Sequence, residues 1–155
     1  GETIEGTRSV IMGTASGPRG KGIKLLLVDS EAGYAEVLAK RLARRQIEVC
    51  AASSASEAVQ VLRRAVFDVA VVDLKMEDMD GLELLRLIKE TDAGLPIIVL
   101  TGHGLDHAAR EGVALVASDY LNKPCDLDEL LGRIRKAAAK RGDTRGRGSS
   151  APDRR

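Results

Sequence analysis

The sequence predicts a doubly wound α/β domain, a five-stranded parallel sheet with helices on both faces. Two observations predict it. Strand-like and helix-like segments alternate strictly through residues 23–140, five of each. The segments at Leu25, Val69 and Ile97 are unbroken apolar runs, as expected of strands buried on both sides.

The elements follow in order. Leu25–Val28 is an apolar run that stops at Asp29. Ala35, Leu38 and Leu42 recur at helical spacing and end in Arg44 and Arg45, which suit a helix C-terminus. Ile47, Val49 and Ala51 alternate like a strand. Ser54 with Glu57 forms a capping box, and Ala55, Ala58, Val59 and Leu62 follow on one helical face. Val69–Val72 stops at Asp73, and Leu84, Leu85, Leu87 and Ile88 mark the next helix. Pro96 opens the run Ile97–Leu100, which stops at Thr101. A weaker helix covers Asp106–Glu111; Gly112, a costly mid-helix residue, is expected to end it there and leave Val113–Val116 as a loose connection. Asp119–Asn122 is a short strand ending at Lys123-Pro124. Asp126 with Glu129 makes a second capping box, and Leu127, Leu130, Leu131, Ile134 and Ala138 mark the last helix.

Residues 1–22, rich in Gly, Ser and Thr, read as a disordered N-terminal segment or an expression remnant outside the fold. Residues 141–155 lack any large apolar side chain and read as a disordered basic tail. The domain between them is net acidic, which favours metal or phosphotransfer chemistry over nucleic-acid binding. With no Trp, one Phe and two Tyr, the chain lacks a stacking platform for single strands. No apolar run approaches the ~18–20 residues of a membrane span. Two cysteines make no disulfide framework and nothing at the start reads as a secretory signal, so a cytoplasmic protein is expected.

Polar residues follow four of the strands: Asp29, Asp73, Thr101 and Lys123. In a parallel α/β sheet the working crevice lies at the carboxyl ends of the strands, so all four converge on one edge. Carboxylates there can hold a hard divalent cation such as Mg²⁺. One of them can attack phosphorus to form an aspartyl phosphate, with Lys and Thr receiving the phosphoryl oxygens. No GxGxxG or Walker A loop is present, and Lys75 stands where a dehalogenase-like phosphatase needs a second Asp. His103 and His107, four apart, lack an evident third metal ligand. Cys125 opens the last helix, a place that can lower a thiol pKa, although a packed residue is the better expectation.

These residues, in the segments LLLVDSE (25–31), VVDLKMEDMDG (71–81), IIVLTGHG (97–104) and DYLNKP (119–124), make the chain resemble a receiver domain of the bacterial two-component response regulators. The wording TGHG and DYLNKP is closest to receivers of enhancer-binding activators. The resemblance implies a flavodoxin-like fold with strand order 2-1-3-4-5. It implies a phosphorylation-dependent switch rather than a free-standing enzyme. Asp73 would take the phosphoryl group from a histidine kinase or phosphotransfer protein. The Mg²⁺ ligands would come from Asp29, Asp73, the Lys75 carbonyl and the position of Ser30. Thr101 and Lys123 would contact the phosphoryl group, and Thr101 with Tyr120 would form the switch. The fourth helix, fifth strand and fifth helix would form the partner-facing or homodimer surface. The segment itself is expected to bind neither membrane nor nucleic acid.

The sequence departs from the family pattern where the second of two adjacent acids is Ser30, which bears on Mg²⁺ affinity and leaves a pseudo-receiver, an interaction module without Mg²⁺-dependent phosphorylation, as the alternative. Glu77 replaces a customary proline and, with Asp78 and Asp80, is expected to make the rim of the site more acidic.

Overall fold

The computed structural model describes residues 10–12, 22–102 and 104–150. The elements in chain order are β1 (Val10–Met12), β2 (Ile23–Val28), α1 (Ala32–Ala43), β3 (Ile47–Ala52), α2 (Ala55–Leu62) and β4 (Val69–Val72). They continue with α3 (Gly81–Thr91), β5 (Ile97–Thr101), α4 (His107–Val116), β6 (Asp119–Asn122) and α5 (Leu127–Ser150). The sheet order is β1-β3-β2-β4-β5-β6. Its five parallel strands, counted on their own, have the expected order 2-1-3-4-5. The addition is β1, which pairs antiparallel with β3 from within the segment set outside the fold by its composition.

Alternation along the strands divides the core in two. Leu26 and Val28 of β2, Ala70 and Val72 of β4, and Ile97 and Val99 of β5 pack against α2, α3 and α4. Leu25, Leu27, Val69, Val71, Ile98 and Leu100 pack against α1 and α5 on the opposite face. The continuous apolar runs therefore report burial on both faces. β3 is buried on both faces too: Cys50 and Ala52 serve one cluster, Ile47 and Val49 the other. Two helical positions shift by one or two residues: Val61 rather than Val59, and Ala137 rather than Ala138, are buried.

Helix starts match their local chemistry. The Ser54 side chain accepts from the Glu57 amide at 3.1 Å, while the Glu57 carboxylate reaches the Ser53 amide at 2.9 Å. Asp80 caps α3 and Asp106 caps α4. Gly81 opens α3 because a Cβ there would lie 2.6 Å from the Leu74 carbonyl oxygen.

Two expectations about helix ends need correction. α4 does not stop at Glu111; it continues to Val116, and the Ala117 amide donates to the Val113 carbonyl at 2.7 Å. Gly112 is a packing residue: a Cβ there would lie 2.9 Å from Cδ1 of Leu82, so its absence lets α4 lie close to α3. Val113 is a core residue rather than part of a loose connection. α5 continues past 140 to Ser150. Arg141, counted with the basic tail by composition, is buried, and its guanidinium forms two hydrogen bonds to Asp92, at 2.9 and 2.7 Å.

Candidate functional site

Strand register builds the site. Val28 pairs with Val72 across β2 and β4, and with Ala52 across β2 and β3. The ladder extends one residue beyond: the Asp29 amide donates to Ala52 at 3.1 Å and the Asp73 amide to Val28 at 2.9 Å. On the other side Thr101 pairs with Asn122, and the Lys123 amide donates to the Thr101 carbonyl at 2.9 Å. Asp29, Asp73 and Lys123 thus leave the sheet at the same edge, from β2, its neighbour β4, and β6, with Thr101 of β5 between the last two and neighbouring strands ~5 Å apart. Asp29, Asp73 and Thr101 are the buried polar residues of this edge.

The Lys123 ammonium is the hub. Its Nζ donates to Asp29 Oδ2 at 2.8 Å, Asp73 Oδ2 at 2.9 Å and Glu31 Oε1 at 3.2 Å. Each aspartate uses its other oxygen to hold its own loop. Asp29 Oδ1 accepts from the Glu31 amide and Asp73 Oδ1 from the Lys75 amide, both at 2.9 Å. The Ser30 hydroxyl donates to the Lys75 carbonyl at 3.2 Å. The Tyr34 ring lies with its centroid 4.2 Å from Lys123 Nζ.

Burial opposes charge here, and the outcome differs between partners. Burial raises the Asp29 pKa above its ordinary value, and the hydrogen bonds from Lys123 and the Glu31 amide only partly counter it. Burial alone would lower the Lys123 pKa. Hydrogen bonds to Asp29 and Asp73, the Asp29 charge and the Glu31 bond reverse that and hold it above the ordinary lysine value. Lys123 is therefore a fixed positive charge throughout the physiological range.

Carboxylate oxygens of Asp29, Glu31 and Asp73 all lie within 4.8 Å of one another. An all-oxygen acidic donor set suits a hard cation, so the residues present fit Mg²⁺. Glu31, Ser30, Asp73, Lys75, Glu77 and Lys123 line the opening, a cavity of about 430 Å³.

The other expected residues divide. Thr101 ends β5 beside the cluster, buried, with its hydroxyl outside the Lys123 hydrogen-bond set. Tyr120 stands apart: its hydroxyl donates to Asn122 Oδ1 at 3.1 Å and Arg110 lies 5.7 Å from its ring centroid. The acidic rim is smaller than composition suggested. Asp78 accepts from the Ala55 and Ser56 amides at the start of α2, which lowers its pKa, and Asp80 caps α3. Of these acids only Glu77 lines the cavity. The Cys125 thiol pKa is raised by burial and by Glu129 and Asp126, not lowered. His107 pairs with Glu111, and His103 lies outside the described residues. Sequence reasoning missed Tyr34, whose only signal was an aromatic in the first turn of the helix that follows Asp29.

Comparison with known proteins gives a consistent picture. The family model described as "Response regulator receiver domain" matches residues 25–135. The transcriptional regulatory protein GlrR of Escherichia coli is 36% identical over 114 residues, covering 74% of this chain and 26% of that protein. The DNA-binding transcriptional regulator NtrC of Proteus hauseri is 37% identical over 111 residues, 72% of this chain and 24% of that protein. The chain thus spans about a quarter of the length of these curated relatives. A solved response regulator from Burkholderia pseudomallei, with a phosphorylated aspartic acid, a calcium ion and citrate, superposes with a TM-score of 0.68 at 27% identity. It covers 79% of this chain and 72% of that one. Among the described residues no helix is long and apolar enough to cross a membrane.

Proposed function

The chain belongs to the response regulator receiver domain family, and from that premise we propose that it is a phosphorylation-dependent switch with Asp73 as its phosphoacceptor. The observation that carries this reading is the Lys123 ammonium bonded at once to Asp29 and Asp73 at the carboxyl edge of the sheet. The donor would be a phosphohistidine of a kinase or phosphotransfer protein. An Asp73 carboxylate oxygen attacks phosphorus, the P–N bond to the imidazole breaks, and the imidazole takes up a proton as it leaves. Lys123 then turns from a carboxylate to a phosphoryl oxygen, a charge-assisted contact that its fixed positive charge sustains. Thr101, at the end of β5, would receive a second phosphoryl oxygen, and Tyr120 would follow it as the switch.

Asp29, Glu31, Asp73 and the Lys75 carbonyl would hold Mg²⁺. When bound, the ion supplies neutralisation of phosphoryl charge. The α4, β6 and α5 face would meet a partner or a second copy. Leu115, 86% exposed on α4, supports that placement.

Phosphoramidate with Mg²⁺ should add a single phosphate mass to the chain, and Asp73→Asn should abolish it. A phosphate that persists in Asp73→Asn overturns the assignment. The pseudo-receiver reading is favoured by Ser30, which gives its hydroxyl to the Lys75 carbonyl instead of offering a carboxylate to a metal. That reading holds if no phosphate is taken up at any Mg²⁺ concentration.

A further inference from the structure

We propose that Tyr34 is a positioning residue for Lys123, its ring holding the ammonium at the Asp73 carboxylate while the ammonium exchanges its anionic partners. The inference rests on the reading of Asp73 as phosphoacceptor.

Tyr34 lies in the first turn of α1, two residues after its start at Ala32. Its half-buried ring packs against the core cluster beneath α1 and α5, against which Cys125 and Leu127, the residues that lead into and begin α5, also pack. It therefore packs against the core of that face rather than standing free at the surface. Its centroid lies 4.2 Å from Lys123 Nζ, well inside the ~6 Å range of cation–π attraction.

The other partners of the ammonium are all carboxylates: Asp29, Asp73 and Glu31. Each of them changes role in the proposed reaction. Asp73 becomes an acyl phosphate, and Asp29 and Glu31 are candidate cation ligands. Lysine carries a long flexible stem, so losing those partners would free the ammonium to leave the site. The aromatic face alone attracts the charge without offering an oxygen that a cation or phosphoryl transfer would claim. It is the partner whose bonding need not change. The placement is notable in a chain with two Tyr and one Phe, where Phe67 serves the core.

The test uses the full chain with phosphoramidate and saturating Mg²⁺. Tyr34→Leu should lower the maximal phosphorylation rate about two- to five-fold, the range an exposed-to-half-buried cation–π contact supports. Tyr34→Phe, which keeps the ring, should retain the wild-type rate. In a Lys123→Ala background the Leu substitution should cost nothing further, since the two residues act as one unit. A second readout needs no phosphorylation. The ring should displace the Lys123 Hε proton resonances, and that displacement should vanish in Tyr34→Leu and persist in Tyr34→Phe. Unchanged Hε shifts in Tyr34→Leu, or an equal rate loss with and without Lys123, overturn the proposal. If the wild type takes no phosphate, the reading of Asp73 fails while the Hε shifts still decide the role of Tyr34.

Discussion

The Ser30 hydroxyl donates to the carbonyl oxygen of Lys75 at 3.2 Å, tying the loop after β2 to the loop after β4. A residue at the position of a customary metal-binding acid thus occupies a carbonyl that is itself a candidate ligand. The three remaining carboxylates, Asp29, Glu31 and Asp73, carry the site's negative charge against one ammonium.

Ser30→Asp should therefore tighten Mg²⁺ binding about tenfold, ~1.4 kcal/mol, by adding a formal charge and releasing the Lys75 carbonyl. Glu31→Gln should weaken it. A titration of amide shifts at residues 29–31 and 73–75 reads both. Equal affinity in wild type and Ser30→Asp would show that Glu31 already makes good the loss.

Lys123→Met should destabilise the cation-free protein by ~2–3 kcal/mol, because it leaves two buried carboxylates without a counter-charge. Its pH dependence has a definite sign. In the variant the buried Asp29, its pKa already raised by burial and now without the Lys123 hydrogen bond, binds its proton more tightly folded than unfolded, so stability rises as pH falls from 7.5 to 5.5. In the wild type the folded Lys123 pKa lies above the unfolded 10.5. Its contribution is full below 10.5 and is lost only as pH rises through the folded value. Urea midpoints at several pH values between 5.5 and 7.5 separate the two.

Arg141→Ala should cost ~2–4 kcal/mol, since it removes a buried guanidinium that holds both oxygens of Asp92. The loss should appear as a lower melting temperature and as faster amide exchange around 137–142. Phosphorylation chemistry, at the opposite end of the strands, should be unaffected.

Two glycine substitutions should part company. In Gly81→Ala the new Cβ meets the Leu74 backbone at 2.6 Å, which cannot yield without moving the loop that follows Asp73, and a loss of ~1–3 kcal/mol is expected. In Gly112→Ala the obstacle is the end of the Leu82 side chain, which can turn aside. The ~1 kcal/mol of helix propensity gained should then leave that variant within ~0.5 kcal/mol of wild type. Thermal melts of the two proteins decide it.

Most of the parallel sheet and the gathering of Asp29, Asp73 and Lys123 at one sheet edge were legible in the sequence, because each rests on local pattern. An apolar run that ends in Asp29 or Asp73 states both a buried strand and the polar residue that leaves its carboxyl end. What was hidden depended on contacts between distant segments. The role of Gly112 is set by Leu82, thirty positions away, so its helix cost was visible and its packing gain was not. Arg141 looked like tail because its partner Asp92 lies 49 residues earlier. Asp78 read as rim acidity because its amide partners at Ala55 and Ser56 belong to another helix. Tyr34 escaped a role, and Glu31 a contact with Lys123, for the same reason: Lys123 reaches them from the far end of the domain.

The antiparallel pairing of β1 with β3 bears on self-association. Without it the six-residue β3 would present a row of unsatisfied amides and carbonyls along its outer flank, a template for joining another molecule edge to edge. β1 covers Val49, Cys50 and Ala51, and at three residues it offers only a short edge of its own. A segment whose composition looks like dispensable leader therefore acts as a guard against aggregation. Trimming the chain to the start of β2 would keep the cluster of Asp29, Asp73 and Lys123 whole and remove that guard.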